Sequence, residues 1–336
     1  STMTGYWIVV LLVLISETNG VLKWCKVCNC HDETINCTNQ DIKKLNWHVL
    51  SKWPVVLDLS DSGLHRLPDH AFNGLQDLQI LNVSRNIITS IGPKCLAVLK
   101  NLTYLDLSYT LINHAVIDVS VFAALSETQI ETLILKRLQF RMNKDSLKPL
   151  AKKSTIKHID FEGNRELCKS VDASLFANVR SLRSLSLLQC QCVDFPKALF
   201  RNTSLTSINL DYNRLSKFPE LSHNATLKEL TLNNNAIMVL KAKELKLPSL
   251  EKLVMNYNDV YHFYTDLLIN IPNLKHLSLS HNRICIIEPE AFNHSSLEVL
   301  WMNNNPIKLK DKHKDMFRNI HSRGLEKRQL SAMNTC

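Results

Sequence analysis

Glycine is scarce in this 336-residue chain, at only 7 residues, and the scarcity removes whole classes of machinery. A phosphate cradle needs clustered glycines, and none is present; nor is there a G-x-S-x-G elbow or an H-E-x-x-H pair. The 13 histidines are scattered, none spaced with a carboxylate and a nucleophile into a recognisable constellation. Catalytic residues, a cofactor and a metal centre are therefore not expected. Long apolar runs are missing as well. The run from Trp7 to Ile15 is nine residues long, too short to span a bilayer, and no other approaches that length. It suits a secretory leader starting at Met3 with cleavage near Asn19 and Gly20, which assigns residues 1–20 to a signal peptide. No transmembrane segment is expected elsewhere in the chain. Low-complexity stretches are absent too, and few glycines leave little room for flexible linkers.

What the chain does have is a frame, L-x-x-L-x-L-x-x-N-x-L, with hydrophobic residues making up 45% of the composition. Clear copies run from Leu205 to Leu215, Leu227 to Ile237, Leu250 to Val260, Leu274 to Ile284 and Leu297 to Ile307. Its first position falls at Pro54, Leu78, Leu102, Ile130, Ile156, Leu182, Leu205, Leu227, Leu250, Leu274, Leu297 and Leu325, at steps of 22 to 28 residues. A unit this short cannot bury its own apolar face, so stacking is required. Positions four and six alternate with polar residues, as in Leu230-Thr231-Leu232, which reads as a short strand with one buried face. Position nine is asparagine at Asn86, Asn164, Asn213, Asn235, Asn258, Asn282 and Asn305, where an amide can satisfy backbone groups leaving the sheet. Ser62, Thr110 and Cys190 are small substitutes, whereas Leu138 and Met333 cannot do this and predict irregular turns.

The frame resembles the leucine-rich repeat. That resemblance implies an α/β leucine-rich repeat solenoid: a curved horseshoe with a parallel concave β-sheet. About twelve repeats would occupy residues 54–336, with no C-terminal cap. The last unit puts Arg328 at core position four, and a buried guanidinium is costly, so this unit is expected to fray and leave an open stack end.

Cysteine usage fits export. Cys25, Cys28, Cys30 and Cys37 form C-x2-C-x-C-x6-C ahead of the first repeat, and behind a leader disulfides are favoured over a metal. Spacing alone leaves three pairings open. The cluster resembles the N-terminal cysteine cap of extracellular leucine-rich repeat proteins, across residues 21–53, and implies Cys25–Cys30 and Cys28–Cys37. Cys168 and Cys192 lie two frame positions apart on neighbouring units, within disulfide reach. Cys95 and Cys285 are expected to pack as small buried residues.

The concave face is the candidate binding surface. Positions two, three, five, seven and eight are expected to point there, placing Tyr104, Tyr109, Tyr212, Tyr257, His276, His281 and Trp301 on it. Tyrosine and tryptophan anchor interfaces by burying large area at small entropic cost. The plainer reading is that they are sheet formers on a solvated face. His276 and His281 share one unit and are candidates for a charge change on acidification. A net charge of +9, with eight basic residues from Lys136 to Lys157 against Asp145 alone, allows an anionic or microbial ligand as well as a protein partner. Most of those lysines fall on convex or turn segments, where a solvated charge needs no partner.

Six glycosylation sequons stand at Asn36, Asn82, Asn101, Asn202, Asn224 and Asn293. Four of them precede a unit's first leucine, so the flank after position nine is expected to be glycan-poor and open to a homo- or heterodimer partner. The stretches LQILNVSRNIITSI, LKNLTYLDLSYTLI and LKHLSLSHNRICIIEPEAF resemble Toll-like receptor ectodomains. By that resemblance the chain is a secreted or ectodomain pattern-recognition protein of innate immunity, on the extracellular face of a membrane or released from it. A matrix or adhesion leucine-rich repeat protein is the alternative.

Overall fold

A computed structural model describes residues 24–42 and 54–307 apart from 114, 116, 139, 152–154, 178, 222, 223, 294 and 295, together with residue 320. The expected leader and the unit starting at Leu325, with Arg328 and Met333, lie outside the described residues. The chain divides into two compact units, residues 1–140 with 146–159, and residues 141–145 with 160–336.

In the first unit the ribbon Asn29–His31 and Thr34–Asn36 is antiparallel. From there the strands run parallel: Thr34–Asn36, Val56–Asp58, Ile80–Asn82, Tyr104–Asp106 and Thr132–Ile134. Each repeat strand occupies positions three to five, and position four stacks on position four: Ile35 on Leu57, Leu57 on Leu81, Leu81 on Leu105, Leu105 on Leu133. All five are fully buried. The cap is therefore itself in frame, with Ile35 at position four and Cys37 at position six. Its first position would be Asp32, which hid it from a count of leucines. Cys25 is bonded to Cys30 and Cys28 to Cys37, closing this end. The 28-residue step after Leu102 accommodates a π-type helical turn, Ile117–Phe122, continuing into Ala123–Leu125. Residues Lys148–Ala151 form another helical turn.

The second unit repeats the arrangement through Ser184–Ser186, Ser207–Asn209, Glu229–Thr231, Lys252–Val254, His276–Ser278 and Val299–Trp301, all parallel and in register. Leu227, Leu230, Leu232 and Ile237 of one repeat are all fully buried. Each such side chain contributes about 1.5–3 kcal/mol of transfer free energy, and neighbouring repeats supply the burial. Phenylalanines line the side away from the sheet, Phe176 stacking on Phe200 at 6.3 Å and Phe263 on Phe292 at 4.5 Å. No helix among the described residues is long and apolar enough to cross a membrane.

Position nine works across repeats. The Asn258 amide donates to the carbonyls of Leu232 in the preceding repeat and Met255 in its own, while its Oδ1 accepts from Ile237 N–H. Asn213, Asn235, Asn282 and Asn305 make the equivalent bonds. Cys190 substitutes through its thiol, which reaches the Phe161 carbonyl at 3.2 Å. Burial holds that thiol's pKa up at about 12, so it stays protonated and able to donate. Burial likewise pushes the Cys95 thiol up. Cys168 is bonded to Cys192. Two expectations need correction. Cys285 is not a small buried residue but a disulfide-bonded one, half-buried at position twelve. Leu138 does not distort the turn before it, because Arg137 keeps a φ of 53° like its counterparts elsewhere.

Candidate ligand-binding surfaces

Position eight, immediately before the asparagine, has left-handed backbone in all eleven repeats from Pro54 to Leu297. The non-glycine members, Asp61, Arg85, Tyr109, Arg137, Gln189, Tyr212, Asn234, Tyr257, His281 and Asn304, have φ between 52° and 57°, and Gly163 has 74°. A side chain costs about 1–2 kcal/mol there, and asparagine tolerates it best. The offset is a second ladder: in nine of these repeats the position-eight N–H donates to the position-seven carbonyl of the next repeat, as Tyr212 does to Asn233 and Tyr257 to Ser280. The chain is turned sharply, so the side chain stands at the edge of the sheet, three residues beyond the strand.

This divides the seven sequence-derived candidates. Tyr104, His276 and Trp301 are strand residues on the sheet face. Tyr109, Tyr212, Tyr257 and His281 are not; they belong to the edge column. His276 and His281 are consequently not brought into contact. His281 instead stacks on Tyr257, with ring centres 4.1 Å apart and planes 11° apart, and its Nε2 meets Asn304 Nδ2 at 2.9 Å. In the first unit the Arg85 guanidinium lies over the Tyr109 ring, 5.2 Å from its centre. Sequence reasoning passed over Asp211 and Asn234, which flank Tyr212 and Tyr257. The signal available was an aspartate at position seven, where the following repeats have Asn233, Asn256, Ser280 and Asn303.

Each unit's sheet face has one shallow depression of note. In the first unit Val56, Asp58, Ile80, Asn82 and Tyr104 surround about 300 Å³. In the second Lys252, Val254, His276, Ser278, Val299 and Trp301 surround about 320 Å³. Charges beside the second are mutually satisfied. Lys252 pairs with Glu229 at 2.6 Å, and Glu251 sits between Lys228 and Lys275, both at 3.2 Å. Hydrogen bonds from Lys228 and Lys275 hold the Glu251 carboxyl below its usual range. In the basic stretch, Lys157 pairs with Glu131 at 2.7 Å and Arg141 with Glu166 at 3.1 Å, which lowers its pull on an anion.

The flank after position nine carries exposed apolar side chains: Ile87 and Leu111 in the first unit, Val193, Met238 and Tyr261 in the second. None of the six sequons falls there. Asn36, Asn101, Asn202 and Asn293 are exposed. Asn82 is half-buried on the sheet face, its Nδ2 donating to Asp58 and its Oδ1 accepting from Ser84 N–H. Asn224 departs from expectation. It is 1% exposed and bonded to the hydroxyls of Thr203 and Thr226, so the folded chain has no room for a sugar there.

A leucine-rich repeat family model matches residues 55–112, 225–284 and 248–307. The matched segments begin and end on the frame whose parallel strands and asparagine ladder are seen in the structure. In fold, this is a leucine-rich repeat solenoid. Among curated proteins, the chain is similar to osteomodulin of Bos taurus, 24% identical over 238 residues, covering 70% of the chain and 53% of that protein. It is also similar to chaoptin of Drosophila melanogaster, 27% identical over 209 residues, covering 61% of the chain and 13% of that protein. It therefore spans about half the length of the first relative and a small part of the second. Among solved structures, the Drosophila Toll–Spatzle complex matches at a TM-score of 0.68 and 20% identity, over 84% of this chain and 42% of that one. The APL1 leucine-rich repeat domain matches at 0.60 and 18% identity, over 80% of this chain and 74% of that one. At these identities the likeness is one of fold, and in fold the protein resembles Toll-like receptor ectodomains.

Proposed function

We propose that this leucine-rich repeat protein is an extracellular recognition module, a Toll-like ectodomain or a soluble relative acting in innate immunity, which docks a protein partner through the flank after position nine. The observation that carries the reading is a segregation. Exposed Ile87, Leu111, Val193, Met238 and Tyr261 stand on a flank that holds no sequon, whereas exposed Asn101, Asn202 and Asn293 precede the first leucine of the next repeat. A bulky sugar excludes close contact, and exposed apolar side chains gain from it, so the two distributions favour the same surface for docking. Disulfides in the cap and between Cys168 and Cys192 support an extracellular setting. Tyr104, His276 and Trp301 on the sheet face are the ligand contacts this reading assigns to the depressions. The likeness to osteomodulin favours a second reading, a matrix or adhesion protein using the same flank.

Arg214 offers a direct test, because Arg214→Asn completes a sequon with Leu215 and Ser216 on an exposed turn of that flank. The secreted chain is expected to show a concentration-dependent dimer by ultracentrifugation, lost when the new site is glycosylated and kept when Asn202→Gln removes a sugar from the other side. A dimer indifferent to the new glycan, or a chain monomeric throughout, overturns docking through this flank.

A further inference from the structure

The edge column of the second unit sets the short Asn234 side chain between two tyrosines, Tyr212 and Tyr257, which leaves a slot over it. Tyr257 and His281 stack nearly parallel, so the faces of the Tyr257 ring look along the column rather than out of it. His281 covers one face. The other looks back toward Asn234, and beyond Asn234 stands Tyr212. Two strand spacings, about 9.6 Å, separate the tyrosine backbones. A flat group in van der Waals contact with both rings needs about 7–8 Å, so one such group fits with modest side-chain rotation. Tyr212 and Tyr257 are 53% and 52% exposed, which leaves the slot accessible.

Its polar lining selects the group. The Asn234 carboxamide forms no hydrogen bond among the described residues, so the floor of the slot has a free acceptor and donors. Asp211, beside Tyr212, accepts from Asn233 N–H and Asn233 Nδ2 at 2.7 and 3.0 Å and has no cation partner among the described residues. A carboxylate has about four acceptor sites, so two remain for an outside donor. A planar cation with several N–H groups satisfies all of this at once. The first unit already holds one at the same column, where Arg85 covers Tyr109. There the repeat before the tyrosine supplies the guanidinium; in the second unit that place is Asn234.

We propose that this slot receives an arginine side chain from the protein partner. Its guanidinium would lie between Tyr212 and Tyr257, donating to Asn234 and to the Asp211 carboxylate. This rests on the reading that the repeat surface docks a protein, and names the residue that surface takes. Lysine matches the charge but not the shape, since an ammonium group is compact and cannot stack as a plane. Citrulline matches the shape but not the charge.

The test uses the full chain and N-acetyl-arginine amide, followed by tyrosine ring signals in NMR titrations, beside the lysine and citrulline counterparts. The arginine amide is expected to shift the Tyr212 and Tyr257 signals and to bind about tenfold more tightly than either counterpart, the scale of a desolvated cation–π contact. Tyr212→Ala and Tyr257→Ala are expected to weaken it about tenfold each, while Tyr257→Phe leaves it unchanged. Asp211→Asn keeps the acceptor for Asn233 N–H and gives up only the bond from Asn233 Nδ2, so the repeat still folds, and is expected to weaken arginine about fivefold without affecting citrulline. Equal binding of lysine and arginine, or tyrosine variants that bind normally, overturns the slot. Because the probe needs no partner, its failure leaves the Arg214→Asn result standing, and a failure there leaves the arginine titration interpretable.

Discussion

The two units solve one backbone problem in different ways. Past each strand, the N–H of position seven needs an acceptor. In the first unit a position-five carboxylate or carboxamide of the same repeat supplies it: Asp58 to Ser60, Asn82 to Ser84, Asp106 to Ser108, all at 2.8–3.0 Å. In the second, Asp160 and Asn209 still do this for Glu162 and Asp211, but from Asn233 onward the acceptor comes from position seven of the preceding repeat: Asp211 to Asn233, Asn233 to Asn256, Asn256 to Ser280. The change coincides with loss of the amide or acid at position five, which becomes Thr231, Val254, Ser278 and Trp301. Ile134 gives the rule inside the first unit: with position five apolar, Lys136 N–H turns to Ser108 Oγ of the preceding repeat. Position five is thus committed to structure wherever it is an acid or amide, as far as Asn209, and released beyond it, where it can carry Trp301 to the sheet face. Position nine differs in parallel. Of the four repeats starting from Pro54 to Ile130 only one has asparagine there, Asn86, against an unbroken run of five from Asn213 to Asn305.

The largest test of this contrast lies at position nine. Asn258→Ala removes two donors and one acceptor from buried backbone and is expected to cost about 2–4 kcal/mol, whereas Thr110→Ala in the first unit, losing one bond to the Leu107 carbonyl, is expected to cost about 1 kcal/mol. Denaturant midpoints at constant slope measure both, and equal losses would mean the ladder is not what ties the second unit's repeats.

Position seven sharpens it. Asn233→Ala and Asn256→Ala are each expected to cost about 1–2 kcal/mol, and because Asn233 Oδ1 holds the backbone N–H of the residue whose side chain makes the next link, the double variant should depart from additivity by about 0.5–1 kcal/mol. Asp58→Ala and Asp106→Ala lie two repeats apart, too far to bond one another, and should add within about 0.5 kcal/mol. Additivity at both pairs would remove the distinction between the units.

Acid should produce the smallest effect, and only in the second unit. The carboxyls held below their usual range are Glu166 (hydrogen bonds from Lys169 and Arg141), Asp172 (Ser174 hydroxyl and N–H), Glu251 (Lys228 and Lys275) and Glu288 (Thr265 N–H, then His262), and all four belong there. A depressed folded pKa contributes stability above the unfolded value, about 3.9 for Asp and 4.3 for Glu, and that contribution fades as pH falls through the folded value. These groups are partly or fully exposed, so the effect is modest and screened by salt. Cys95 in the first unit and Cys190 in the second, both free and buried, are natural reporters. Labelled with an acid-tolerant disulfide reagent, Cys190 is expected to gain reactivity below about pH 4 before Cys95 does. Simultaneous exposure would show that the units do not differ in acid.

The repeat, its strand positions and the role of position nine were legible in the amino acids alone. A period of two dozen residues forces stacking, alternation fixes which side chains are buried, and an amide at a fixed place satisfies a fixed turn. These follow from local spacing, which every repeat restates. The sequence could not show that Ile35 and Cys37 place the cap in frame, since Asp32 stands where a leucine would be counted. Nor could it show that Asn224 is buried, because that depends on Thr203 in the preceding repeat. The edge column escaped it for the same reason. Tyr212, Tyr257 and His281 share a position in the frame, but only a left-handed turn held by the next repeat's carbonyl moves that position off the sheet face. Periodicity determines which residues align; the backbone between repeats decides where an aligned side chain points, and so whether Tyr257 lies on the sheet face or stacks on His281 at its edge.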